Sequence, residues 1–233
     1  EANIIGTELA FFITQWWKEF LAQEYQLHSA LELEYETHFS KFLMPTIRGS
    51  EQGSKKRYAG LVCKKGFTYD HPDPHTYKLV FKGLEAVRTD WTPLAREFQK
   101  SLYKKIFLNL EFKPYILEVI AALKGGELDD KLVYRKRLRR TLSEYKRNVP
   151  PHVQAARKAD EAAIHAGHKP RYTNGGWIEY FYTLQGPETK EYLKSPLDYE
   201  RYIIRQIEPI VDGIVTILGT SFSEITSKQI NLI

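Results

Sequence analysis

The change of hydrophobic period at Gly83 constrains this chain most. Before it, short stretches alternate apolar and polar residues; after it, apolar residues recur at three- and four-residue steps between helix-opening prolines. The shift predicts an α+β chain, in which a small strand-rich part with one leading helix gives way to a mostly helical part, with a boundary near residues 84–90. In the first part, TELAFFITQWWKEFLAQEYQL at 7–27 predicts an amphipathic helix, with Leu9, Phe12, Ile13, Trp16, Trp17, Phe20 and Leu21 at helical spacing. ALELEYE at 30–36 alternates apolar and acidic residues and predicts a strand with Glu32, Glu34 and Glu36 on its wet face. Pro45, Gly49, Ser50, Gly53 and Ser54 mark a loop over 45–56, and KRYAGLVC and YKLVFKG predict strands on either side of the proline-broken FTYDHPDPH.

In the second part, Thr92 is placed to cap a helix whose first residue is Pro93 and which runs to about Asn109, with Leu94, Phe98, Leu102 and Ile106 on one side. Pro114 opens another helix that Gly125 and Gly126 stop. LVYRKRL reads as a short strand, 150–166 as a helix, Asn174-Gly175-Gly176 as a turn and WIEYFYT as a strand. A last long helix is predicted from about Pro196-Leu197-Asp198, with Tyr199, Ile203, Ile207, Ile210, Ile214 and Leu218 on one face and a kink at Pro209. The tail SFSEITSKQINLI is polar with an apolar end.

Composition narrows the function classes. At 233 residues with 42% hydrophobic and 27% charged residues, the chain has enough apolar material for a core without cross-links. Its single cysteine, Cys63, excludes an internal disulfide and a cysteine metal cage. No run of 18 apolar residues occurs, so no membrane-spanning segment is expected, and the N-terminus lacks the pattern of a signal peptide. The chain begins at Glu1 and has Met44 as its one methionine, from which a piece of a longer product is expected.

The net charge of +5 conceals a cluster. From Lys131 to Arg147, eight basic residues (Lys131, Arg135, Lys136, Arg137, Arg139, Arg140, Lys146, Arg147) face Glu144 alone, a net +7 over seventeen residues. Lys55, Lys56 and Arg57, with Lys64 and Lys65 beyond them, form a second group. Like charges at this density repel one another until a polyanion meets them. Tyr58, Tyr134 and Tyr145 interleave with the cations and bring hydroxyls suited to phosphate oxygens. A solvated basic face is the plain alternative; two clusters flanking the proposed boundary favour a nucleic-acid surface.

Residues for self-contained catalysis are not assembled. His71 with His75, and His165 with His168, do not complete a three- or four-ligand zinc pattern, and HExxH, a glycine-rich phosphate loop and GxSxG are all absent. Two-metal chemistry needs paired carboxylates, and no DxD pair at a strand end supplies them; Asp129-Asp130 reads as loop. A nuclease is disfavoured on the same ground, and a polyanion-binding chain is the reading the residues support.

Several segments then resemble one family in order. KKRYAGL at 55–61 resembles the KxY motif region of family B DNA polymerases, GLEAVRTDWTPLARE at 83–97 their palm-to-thumb passage, and YRKRLRRTLSEYKRNVPPHVQAAR at 134–157 the thumb segment on the primer strand. GGWIEYFY at 175–182 and SPLDYERYIIRQIEPIVDGI at 195–214 resemble later thumb strands and helices. The resemblance implies the end of a palm at 1–88, a thumb at 89–224 and a tail at 225–233. It implies that Lys56, beside Lys55 and Arg57, reaches the minor groove at the primer end, that Tyr58 touches the primer backbone, and that Lys136, Arg137, Arg139, Arg140 and Tyr145 grip the duplex. A minor-groove donor checks pair shape without reading sequence, because acceptors there are nearly the same for every pair. Glu36 falls where the family has a carboxylate near the metal site, and His152, in the PHV motif, is given a structural role. The family's catalytic aspartates, its nucleotide-binding helix and its exonuclease domain have no counterpart in this chain.

The expected partners are accordingly primer–template DNA and, only with the rest of the polymerase, deoxynucleotides and Mg²⁺. The setting the resemblance implies is the bacterial cytoplasm, associated with the nucleoid. Gln229-Ile230-Asn231-Leu232-Ile233 resembles the peptide that docks bacterial replication proteins on the sliding clamp, with Gln229, Leu232 and Ile233 as the contacts. The alternative is a stand-alone nucleic-acid-binding module or adaptor without polymerase activity.

Overall fold

The computed structural model describes residues 1–46, 56–215 and 218–227. The chain divides into two units, Glu1–Phe42 with Gly60–Val80, and Leu43–Ala59 with Phe81–Ile233.

In the first unit, helix α1 (Ala2–Tyr25) starts earlier than the apolar spacing predicts and ends with Gln26 in the left-handed conformation (φ 54°), its amide on Leu21. Trp16 stacks on Phe20 at 5.1 Å and meets Trp17 edge-on at 5.0 Å. Residues 30–36 are not a strand; the backbone is irregular and Glu32, Glu34 and Glu36 are exposed. The alternation has another cause. The Leu33 amide donates to Thr14 Oγ1 on α1 (3.2 Å), and the Tyr35 ring lies so close to Gly6 that a Cβ there would sit 2.3 Å from it. The segment thus runs along a helix and offers its backbone no ladder partner. Strands β1 (Lys41–Leu43), β2 (Tyr58–Cys63) and β3 (Tyr77–Lys82) form a sheet in the order β1-β2-β3. The predicted loop 45–56 falls mostly outside the described residues.

The second unit holds most of the core. Helix α2 (Pro93–Phe107) begins as its sequence dictates, with Thr92 Oγ1 accepting the Ala95 amide (3.3 Å) and Pro93 at the first position. It buries Leu94, Phe98, Leu102 and Phe107, and packs against α3 (Lys113–Lys124) and the Ile203–Ile207 segment. Gly126, at φ 80°, carries the chain out of α3. Strand β4 (Tyr134–Leu138) then pairs antiparallel with β5 (Gly176–Thr183), which pairs with β6 (Gly186–Thr189). β6, not anticipated from the sequence, contains Pro187, which is tolerated because the strand is at an edge. Helix α4 (Pro151–His165) covers one face of this sheet, where Val153, Ala155 and Ala156 pack with Leu138, Ile178 and Tyr180.

The last long helix is broken as Pro209 requires. Helix α5 (Tyr199–Tyr202) passes into a π-helical turn (Ile203–Ile207) and then α6 (Glu208–Val215). Proline has no amide, and its ring crowds the carbonyl four residues back, so the ladder widens just before it. The turn places Gln206 in the core, where it accepts from the Thr92 hydroxyl and donates to the Tyr134 hydroxyl. Tyr180, Tyr182 and Tyr202 cluster around Tyr134, which stacks on Tyr180 at 5.3 Å. Part of the polar tail is helical, as α7 (Phe222–Ser227).

Candidate nucleic-acid interface

Alternation along β4 sorts the basic run into two sets. Tyr134, Lys136 and Leu138 face the side covered by α4, while Arg135 and Arg137 face solvent. The ladder sets Arg135 opposite Glu179 and Arg137 opposite Trp177, so these four share the outer face. Arg139 and Arg140 follow the strand and are exposed, as are Lys146 and Arg147.

Ion pairs occupy part of the cluster. Lys131 Nζ meets Glu97 at 2.8 Å, and the hydrogen bond to Glu97 raises its pKa. Lys136 Nζ lies 3.6 Å from Asp90, whose carboxylate also accepts both Arg88 Nε (3.0 Å) and Nη2 (2.8 Å). The Arg88 hydrogen bonds hold the Asp90 carboxyl below its ordinary range. Arg135 lies 3.9 Å from Glu179 and over the Trp177 ring at 4.5 Å. Glu144, the one acid in the run, is turned onto Thr141: it accepts from that residue's hydroxyl (2.7 Å) and amide (2.8 Å), and these bonds lower its pKa. Among the described residues, Arg137, Arg139, Arg140, Lys146 and Arg147 have no carboxylate partner.

The backbone that carries these arginines is held from behind. Arg157 of α4 donates to the carbonyls of Leu142 (2.9 Å) and Tyr145 (2.6 Å), fixing the 139–147 segment. Asp160, also on α4, accepts from the amides of Arg171 (2.8 Å) and Tyr172 (2.9 Å) and so sets the approach to the Asn174-Gly175-Gly176 turn. The outcome is an open groove of about 590 Å³ whose walls include Lys136, Arg137, Arg139, Tyr145, His152 and Trp177. Burial, and then the positive charge of Lys136, hold the His152 imidazole below the ordinary histidine range. Thr89, Asp90, His152 and Trp177 are the groove residues that reading the sequence did not assign to the interface. For Trp177 the signal was strand parity: it is out of phase with the buried Ile178 and Tyr180.

The other site residues have different settings. Lys56 is exposed and Tyr58 half-buried at the start of β2. Arg57 is engaged inward by Glu85, a buried acid that also accepts from Gln99 Nε2 (2.7 Å). Gly83 lets the chain pass close behind: a Cβ there would lie 2.3 Å from the Lys56 carbonyl oxygen. Glu36 stands exposed on irregular backbone rather than on the expected strand. Lys55, Gln229, Leu232 and Ile233 lie outside the described residues. No group of three or more His, Cys, Asp or Glu side chains suited to a metal ion gathers among the described residues, so those residues do not fit a divalent-cation site. No helix among them is long and apolar enough to cross a membrane.

A family model described as DNA polymerase family B matches residues 10–216. DNA polymerase II of Escherichia coli K12 is 52% identical over 232 residues, covering 100% of this chain and 28% of that protein. A DNA polymerase of Pyrococcus horikoshii is 29% identical over 224 residues, covering 89% of this chain and 16% of its own length. The solved structure of the family B DNA polymerase from Pyrobaculum calidifontis superposes with a TM-score of 0.53 at 20% identity, over 86% of this chain and 24% of that one. The chain therefore spans less than a third of the length of each of these relatives.

Proposed function

We propose, from the premise that this chain belongs to DNA polymerase family B, that it is the part of a DNA-directed DNA polymerase that holds the primer–template duplex. In this reading residues 1–88 complete the palm and 89–224 form the thumb. Lys56 and Tyr58, with Lys55, meet the primer end, and Lys136, Arg137, Arg139, Arg140 and Tyr145 grip the duplex behind it. The observation that carries the proposal is the row of exposed arginines without carboxylate partners, Arg137, Arg139 and Arg140, on a backbone fixed by Arg157. Cations without a carboxylate partner are left to neutralise phosphates and to displace the cations condensed on a polyphosphate, which favours binding without reading sequence.

Nucleotide addition, with its Mg²⁺ and deoxynucleotides, is assigned to carboxylates outside this chain, and the isolated chain is inactive. The setting of this activity is the bacterial cytoplasm, on nucleoid DNA. The terminal Gln229, Leu232 and Ile233 dock on the sliding clamp; calorimetry with the clamp, with and without residues 229–233, tests this, and equal affinity would refute it.

Fluorescence anisotropy with a labelled primer–template hairpin tests the DNA-binding reading. Binding is expected to weaken steeply with added salt, with a log–log slope of about −0.9 per phosphate neutralised. Replacing Arg137, Arg139 and Arg140 with alanine removes up to three such contacts, so the slope is expected to flatten by up to about 2.7. An unchanged slope would reduce the arginines to a solvated face.

A further inference from the structure

Holding a duplex leaves the face of the Trp177 indole unused: phosphate contacts draw on cations, hydroxyls and N–H donors, and a stacked duplex presents no base face to a side chain on its backbone side. Yet this indole is 54% exposed even with the Arg135 guanidinium lying over its ring at 4.5 Å. It lines two cavities, of about 590 and 750 Å³, and so do Arg137 and Arg139. The second cavity is bounded by Asn174 and Gly176, and a Cβ built on Gly176 would meet nothing within 4 Å. A planar group therefore has room beside the indole.

The neighbours of the ring are set by the strand ladder. Arg137 is the cross-strand partner of Trp177, and Arg135, two residues back on the same face, is steadied by Glu179, which also lies 4.0 Å from Lys190. Asn174 brings an amide with both donor and acceptor to the edge of the space. The one acid lining the first cavity, Asp90, is neutralised by Arg88 and Lys136. An aromatic plane beneath a guanidinium, flanked by free arginines, is the combination that takes successive bases and phosphates of a single strand.

We infer that Trp177 and Arg135 form a stacking platform for an unpaired base of single-stranded DNA, with Arg137 and Arg139 on the flanking phosphates and Asn174 at the base edge. The inference rests on the DNA-binding reading but adds a ligand class to it, a splayed or single-stranded segment rather than a paired one. Stacking acts on the uncharged part of the nucleotide, so its contribution persists where salt has screened the phosphates.

The test compares, on the whole chain, a labelled oligothymidylate with an abasic deoxyribose-phosphate strand of the same length and charge. The intact chain is expected to prefer the oligothymidylate by about 5- to 150-fold per stacked base, with tryptophan quenching, and to keep that ratio as salt rises. Trp177→Ala is expected to remove the preference and leave the salt slope unaltered, whereas Trp177→Tyr restores most of it and shows that the fold is retained. Equal binding of both strands by the intact chain would overturn the platform and leave the phosphate grip standing. Binding of neither strand, with none to the primer–template hairpin, would overturn both.

Discussion

Replacing Asp160 with alanine is expected to cost about 3 kcal/mol of stability and to loosen the turn that presents Trp177. The carboxylate is 6% exposed and accepts from the Arg171 amide (2.8 Å), the Tyr172 amide (2.9 and 3.2 Å) and the Thr173 hydroxyl (3.2 Å). The Thr173 hydroxyl is on an exposed residue and turns to water when its partner goes. The two amides are fixed by the backbone. The Tyr172 amide is buried and the Arg171 amide part-buried, so their loss is worth about 2 and about 1 kcal/mol for a donor left unpaired. Asp160→Asn keeps one oxygen for both amides and is expected to cost about 1 kcal/mol. Urea unfolding followed by circular dichroism measures this. With a slope near 2 kcal/mol per molar, the midpoint falls by about 1.5 M for the alanine variant and by about 0.5 M for asparagine. A loss below about 0.5 kcal/mol for alanine, or equal losses for the two variants, would refute the reasoning that this carboxylate pins the loop.

Two further outcomes are expected. Burial pushes the Tyr134 hydroxyl up to about 12, and raises those of Tyr180 and Tyr202 as well. Their contribution to stability is therefore fully present below the unfolded value near 10 and is lost as pH rises from there through the folded value. The unfolding free energy is expected to be level from pH 7 to 9 and to fall steeply above 10, by about 2 kcal/mol by pH 12 from Tyr134 alone; a flat profile to pH 12 would contradict the buried cluster. In primer extension with Mg²⁺ and all four deoxynucleotides, the isolated chain is expected to add nothing, and template-directed extension would overturn the assignment of the catalytic carboxylates to residues outside it.

Much of the second unit's local architecture could be read directly. The start of α2 at Thr92-Pro93, the reach of α3 from Pro114 to Gly125, β4 and β5, and the break at Pro209 all depend on caps, rings and glycines acting within one turn of chain. The acidic stretch at 30–36 shows the limit of such reading. Its alternation is strand-like, but a strand also needs a neighbour for its backbone, and Leu33 instead finds the Thr14 hydroxyl on α1. β6 was hidden because four residues containing a proline carry almost no periodic signal.

The interface divides along the same line. The sequence by itself determined that a dense basic run lies on a short strand, because charge count and period two are local properties. Only the tertiary structure decided which of those charges remain available. Lys131 is paired with Glu97, 34 residues away, and Lys136 with Asp90, while Arg57 is turned inward onto Glu85. Those partners are brought in by the packing of α2, whose cap is tied across 114 residues to Gln206 on the π-helical turn. An ion pair depends on distance in space, not along the chain, so the availability of a cation is a property of the fold.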